Sequence, residues 1–98
     1  MLFRSIITHE GSDDALNGIT ILDLDNPLEP TVVSRFTSEL ESGVHNVWIE
    51  GDYAYLVVDG VGNGLRILDI SDPDNPSVVA RFLLQSSSWK VRMVLYLL

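Results

Sequence analysis

The 98-residue chain contains no cysteine, so it can build neither a disulfide framework nor a thiolate metal site. Basic residues are scarce: six Lys and Arg stand against 14 Asp and Glu, for a net charge of −8. The scarcity is uneven. Residues 1–84 hold all 14 acids and only four arginines (Arg4, Arg35, Arg66 and Arg81), a balance of −10. Such a surface repels a phosphate backbone, so no nucleic-acid partner is expected. Only the tail reverses the sign, with Lys90 and Arg92 set among apolar residues. Long apolar runs are also missing. The closing VRMVLYLL falls well short of the roughly 20 residues a membrane-spanning helix needs, so no membrane span is expected. The opening MLFRSIITHE lacks the apolar core of a secretory signal, and the chain as written reads as soluble and untargeted.

Hydrophobic residues, by contrast, make up 46% of the chain, enough for a packed core in a single domain. The dominant feature is an internal repeat. Residues 17–36, NGITILDLDNPLEPTVVSRF, overlay residues 63–82, NGLRILDISDPDNPSVVARF, at a constant offset of 46 with 11 of 20 positions identical. One unit reads as four short strands. Residues 44–49 are mostly apolar and carry Trp48; Glu50-Gly51-Asp52 is a turn signal; YAYLVV (53–58) is aromatic and β-branched. Residues 59–63 form a Gly-containing loop, 64–70 a third strand, 71–76 a turn with two prolines and two acids, and 77–82 a fourth strand. A helical reading fails because Val, Ile, Tyr and Pro punctuate at strand length.

Four strands recurring every 46 residues match the size of a β-propeller blade. The middle strands YAYLVV and LRILDI do not alternate cleanly between polar and apolar, which fits strands covered on both faces by neighbouring blades. The expected fold is therefore all-β, a fragment of a β-propeller with four-stranded antiparallel blades. Residues 1–43 form a partial blade, with 2–9 as its second strand and 10–16 as a longer loop. Residues 44–83 form a complete blade. Residues 84–98 are a poorly matched start of a third blade or an aberrant tail, since 91–98 fall in register with 45–52 but lack a following YAYLVV counterpart.

GLRILDISDPDNPSVVARF, preceded by HNVWIEGDYAYLVVDG, resembles the LVIVD repeat of bacterial and archaeal propeller proteins and is similar to the related choice-of-anchor B domains. The resemblance covers residues 17–83 and extends weakly to 1–9. It implies a propeller, often in secreted or surface-attached proteins, with no enzymatic activity and no defined site residues.

Several residues invite a chemical reading. Asp69, Asp72 and Asp74 are spaced like part of a calcium loop, but an EF-hand needs a glycine at its sixth position and a distal glutamate, and here Pro73 and Pro76 fill the segment. Aspartate before proline also closes turns by accepting backbone N–H bonds. Asp23 and Asp69 end the same strand in both copies, which points to a structural bond repeated per blade; Pro27, Pro30, Pro73 and Pro76 complete that motif. His45 lies on the first strand, which lines the central channel in propellers, and is the candidate for binding a ligand. A lone imidazole makes a poor metal site, because zinc takes three or four protein ligands. Trp48, Tyr53 and Tyr55 are expected to pack as core, and His45 and Trp48 fall on opposite faces of their strand unless a bulge intervenes.

No nucleophile–base–orienter set is visible. The serines at 86–88 have no nearby histidine, and residues 60–64 lack the Lys-Ser/Thr of a phosphate loop. No catalytic residue and no cofactor are expected. The expected role is a non-catalytic interaction or scaffold module of a larger secreted or surface protein. The alternative is a piece of a propeller-based secreted enzyme whose active site lies mostly outside these residues. The expected partners are the remaining blades, with self-association through open strand edges.

Overall fold

The computed structural model describes residues 4–11, 16–60, 64–87 and 90–97. Residues 2 and 3 of the first expected strand, 12–15 and 61–63 of the two loops, 88 of the serine run, and 98 lie outside them. Among the described residues all regular structure is β: β1 (Arg4–His9), β2 (Gly18–Asp23), β3 (Thr31–Phe36), β4 (Val44–Glu50), β5 (Tyr53–Val58), β6 (Gly64–Asp69), β7 (Ser77–Ser87) and β8 (Lys90–Leu97). They form two antiparallel sheets in sequential order, β1-β2-β3 and β4-β5-β6-β7-β8. The first four strands of the second sheet fall at the four strands expected over residues 44–83. The first sheet is its partial counterpart, beginning at the equivalent of β5. Residues 90–97 run back along β7, from Ser87↔Lys90 to Ala80↔Leu97, and so extend the second sheet by a fifth strand.

Register follows the repeat. β2 pairs with β3 through a shift between Ile21 and Leu22, and β6 pairs with β7 through a shift between Ile67 and Leu68. These positions are 46 residues apart, so the repeat carries the bulge as well as the strands. Pro27 and Pro30 lie between β2 and β3, and Pro73 and Pro76 between β6 and β7, where the absent N–H costs no ladder bond.

The two sheets pack face to face. Ile19 and Ile21 of β2 meet Val44, Ala54, Leu56, Val58 and Leu68 of the second sheet in one cluster, with Ile6, Val33, Phe36, Val47 and Val78 around it. Two residues outside strands complete it: Leu40 from the connection between the sheets, and Ile70 just past β6, 0% and 1% exposed. Burying each such aliphatic side chain is worth about 1.5–3 kcal/mol. Gly18, which opens β2, has φ +146°, and a Cβ there would collide with the Phe36 carbonyl oxygen. The tight approach of β3 therefore requires glycine at this position.

The connection at residues 37–43 is fastened at both ends. Leu40 N–H donates to Thr37 O (3.0 Å) and Gly43 N–H to Leu40 O (2.9 Å). Between them Glu39 takes a left-handed φ of 64°, uncommon for a residue with a side chain. Its carboxylate accepts two bonds from the Arg81 guanidinium, one at 2.6 Å from Nη2, and lies 3.6 Å from Nε of Arg66. The Arg81 bonds hold the Glu39 carboxyl below its ordinary pKa, against a smaller upward push from burial. Arg66 is 6% exposed, so Glu39 also supplies the negative charge that a buried guanidinium needs. Two further ties cross between the sheets, Arg4 to Ile70 O (2.7 Å) and Ser34 Oγ to Pro73 O (2.6 Å), and Asn17 Nδ2 donates to Glu41 O of the connection (3.0 Å).

One expectation is corrected. Trp48 is 67% exposed and Tyr53 43%, so neither ring is core. Both lie on the side of the second sheet turned away from the first sheet, and Trp48 sits on its edge strand β4. Leu56→Ala is therefore expected to destabilise the chain by about 3 kcal/mol, the cost of a cavity in a packed core. Trp48→Ala is expected to cost less than about 1 kcal/mol, as at other exposed positions. Urea denaturation of the two variants checks the contrast; equal losses contradict the assignment of the core.

Candidate functional site

The chemistry-bearing residues fall in two places, the Asp-Pro turns and the β4 edge. In the turns every carboxylate named from sequence except Asp74 accepts a bond from its own segment. Asp23 Oδ1 accepts Asp25 N–H and Asp69 Oδ1 accepts Ser71 N–H, both at 2.8 Å. Asn26 Oδ1 accepts Leu28 N–H and Asp72 Oδ1 accepts Asp74 N–H, both at 3.2 Å. Their carbonyls accept Glu29 N–H (3.0 Å) and Asn75 N–H (2.9 Å). The two turns thus share three equivalent bonds, and Asn and Asp exchange at 26 and 72 because the shared side-chain bond uses one oxygen. The Ser71 hydroxyl and N–H lower the Asp69 pKa. Asp72 Oδ2 also accepts Asn75 Nδ2–H at 3.0 Å. Asp74, exposed, lines a polar depression of about 480 Å³ between the second turn and the first sheet, with Arg4, Asp23, Val32 and Pro73.

At the β4 edge, His45 is not alone. Pairing steps from Val44↔Val58 to Asn46↔Val57, so His45 is the extra residue of a bulge and leaves the strand's alternation. The bulge turns its ring toward Glu10, with Nδ1 3.1 Å from Oε2. Asp59 completes the group, and one ligand-type atom from each of Glu10, His45 and Asp59 lies within 4.8 Å of the others. Glu10 follows β1, His45 begins β4 and Asp59 follows β5, so both sheets contribute.

The backbone holds this cluster closed. Gly43 O accepts Asp59 N–H at 2.9 Å. At Gly43, φ is +108°, and a Cβ would fall 2.9 Å from Glu10 Cβ and 3.0 Å from Asp59 Oδ2. Only glycine lets Glu10 and Asp59 approach so closely. The two carboxyls share a hydrogen bond. It lowers the Glu10 pKa, helped by His45, and raises that of Asp59.

Glu10 and Asp59 went unnoticed in the sequence for a definite reason. Each is the first residue after the second strand of its unit. The loop to the third strand is eight residues long after β1 and five after β5. The ungapped offset of 46 therefore sets Glu10 over Leu56 and hides the equivalence. Aligning by strand ends would have found it. The bulge does not bring His45 and Trp48 together. Trp48 lines a separate shallow groove of about 270 Å³ with Asn46, Val47, Tyr55, Val57 and Leu65.

The model of the LVIVD repeat matches residues 14–38 and 43–83. No curated protein and no solved structure matches the chain. No helix among the described residues is long and apolar enough to cross a membrane.

The pairing of the two carboxyls gives the cluster a pH signature. A raised carboxyl pKa favours the folded state while protonated, so Asp59 contributes stability that is lost as pH rises through its folded value. The lowered Glu10 acts oppositely, and its contribution is lost only as pH falls through a value below the ordinary carboxylate range. The urea midpoint is therefore expected to drop as pH rises through the raised Asp59 range, above ordinary carboxylate values. In Glu10→Gln, which removes the like charge and leaves only the smaller effect of burial, the drop should shrink. An unchanged drop in that variant would exclude the carboxyl pair as its source.

Proposed function

Because the chain belongs to the LVIVD-repeat family, we propose that it works as a non-catalytic interaction module of a larger secreted or surface-attached protein, binding through Glu10, His45 and Asp59. The convergence of these three side chains at the seam between the sheets carries the reading. Two carboxylates and an imidazole suit a divalent cation of borderline character, such as Mn²⁺ or Zn²⁺. Glu10 and His45 are exposed and Asp59 is half-buried, which leaves room for a ligand's own donors around the cation. A cation would also relieve the repulsion between Glu10 and Asp59.

The same openness supports binding over catalysis. In many carboxyl pairs that act as acid and base, an apolar pocket raises the pKa of one member. Here Glu10 is exposed and Asp59 half-buried. The extracellular placement draws its support from the family resemblance.

Isothermal titration of the chain with Mn²⁺ or Zn²⁺ at neutral pH tests the site. The expected result is saturable binding of one ion per chain. Glu10→Gln and Asp59→Asn should each weaken it by at least about tenfold, since even residues behind metal ligands matter at that scale. Affinity should also fall on acidification through the raised Asp59 range, because the ligands must shed their protons. Binding that both substitutions leave intact would remove this cluster from consideration.

A further inference from the structure

The two ends of β1 carry different chemistry. Its last residue, His9, precedes the Glu10–His45–Asp59 cluster, and its first, Arg4, lines the polar depression beside the second Asp-Pro turn. Six residues of extended strand set the two places about 20 Å apart. The depression measures about 480 Å³, within the range of ordinary small-ligand sites. Both sheets wall it: Arg4, Asp23 and Val33 belong to the first, Pro73 and Asp74 to the turn after β6. The bonds from Arg4 to Ile70 O and from Ser34 Oγ to Pro73 O hold those walls in place.

The charges in the depression do not cancel one another. Arg4 and Asp23 face each other across β1 and β2. Arg4 nevertheless donates to the Ile70 carbonyl, and Asp23 Oδ1 accepts Asp25 N–H. Neither Asp23 nor Asp74 forms an ion pair among the described residues. The turn asks nothing of the Asp74 carboxylate. It uses the N–H of residue 74, and in the first turn the same bond comes from the N–H of Leu28. Two carboxylates against one arginine leave the depression negative, in a chain whose net charge is −8. Such a place disfavours an anion and draws a cation.

We propose that this depression receives an arginine side chain from a basic peptide segment of a partner protein, with its guanidinium between Asp23 and Asp74. The paired N–H donors of a guanidinium suit two carboxylates, in charge-assisted bonds. The methylene stem runs over Val33 and Pro73, as long basic side chains do on apolar surface. Arg4 selects a peptide over a free amine. A polyamine offers Arg4 only a second positive charge, whereas a peptide offers a carbonyl oxygen beside the inserted side chain. The site is separate from the Glu10–His45–Asp59 cluster and does not depend on a cation there.

Titration of a fluorescent, C-amidated peptide of alternating glycine and arginine with the full chain, read by anisotropy, tests the proposal. The expected result is saturable binding, with amide NMR shifts at Ser71 and Asp74. Asp23→Asn and Asp74→Asn should each weaken it about tenfold or more, the scale of a bond to a charged group. Asparagine keeps the side-chain oxygen that accepts Asp25 N–H, so Asp23→Asn removes charge and leaves the turn closed. Glu50→Gln removes an equal charge from an exposed position elsewhere and should weaken binding less than about twofold. Spermidine should displace the peptide poorly from the natural chain and more readily from Arg4→Gln. A peptide that does not bind overturns the proposal. Equal losses in Glu50→Gln and Asp74→Asn also overturn it, because they reduce the binding to general charge attraction. Amide shifts confined to Glu10 and His45 would move the peptide to the other acidic cluster and overturn the assignment. Spermidine that competes equally well in the natural chain and in Arg4→Gln would replace the peptide with a free amine.

Discussion

The face shared by the two sheets is the constraint on which the rest of this structure depends. A blade of this kind has middle strands that are apolar on both sides, so it cannot be satisfied by one neighbour alone. Ile19 and Ile21 against Leu56 and Leu68 satisfy one side of each sheet. That packing fixes where the connection at 37–43 must run, drives Leu40 into the seam, and brings Glu39 onto Arg66 and Arg81. It also sets the end of β1 beside the start of β4, which places Glu10 next to His45. The ligand-type cluster is thus a product of blade packing, and neither sheet holds it alone.

Charge is arranged around that seam in two ways. Glu39 works in partial burial, where its bonds to Arg81 keep the carboxyl ionised beside an arginine that is almost wholly buried. Removing such a carboxylate would strand the guanidinium. Glu10 and Asp59 lie nearer the surface, where the close approach allowed by Gly43 sets one carboxyl against the other with an imidazole beside them. Water screens the second arrangement more than the first. The network at Glu39 therefore belongs to stability, and the one at Glu10 remains available to bind.

Much of the fold was legible in the sequence because the repeat is a physical unit. The ungapped match of 17–36 with 63–82 predicted two equivalent β-strand pairs, and the structure adds matching bulges and matching turn bonds at Asp23 and Asp69. Three features escaped. The bulge at His45 has no sequence signal of its own, so strict alternation misdirected the ring. Glu10 was hidden by a loop of different length. Trp48 was read as core because its strand is covered in a closed propeller, whereas here β4 is an edge and its outer face has no neighbour. In each case the composition of the strand was informative, and its surroundings decided the outcome.

If the shared face holds the two units together, they should open as one. Native-state hydrogen exchange in low urea measures this directly, amide by amide. The account predicts that protected amides of β2 in the first sheet and of β5 and β6 in the second converge on one opening free energy and one urea dependence, as a single cooperative unit requires. Amides of β2 that exchange at a much lower free energy while β5 and β6 stay protected would contradict it, and would make the first sheet an appendage to a self-sufficient second one.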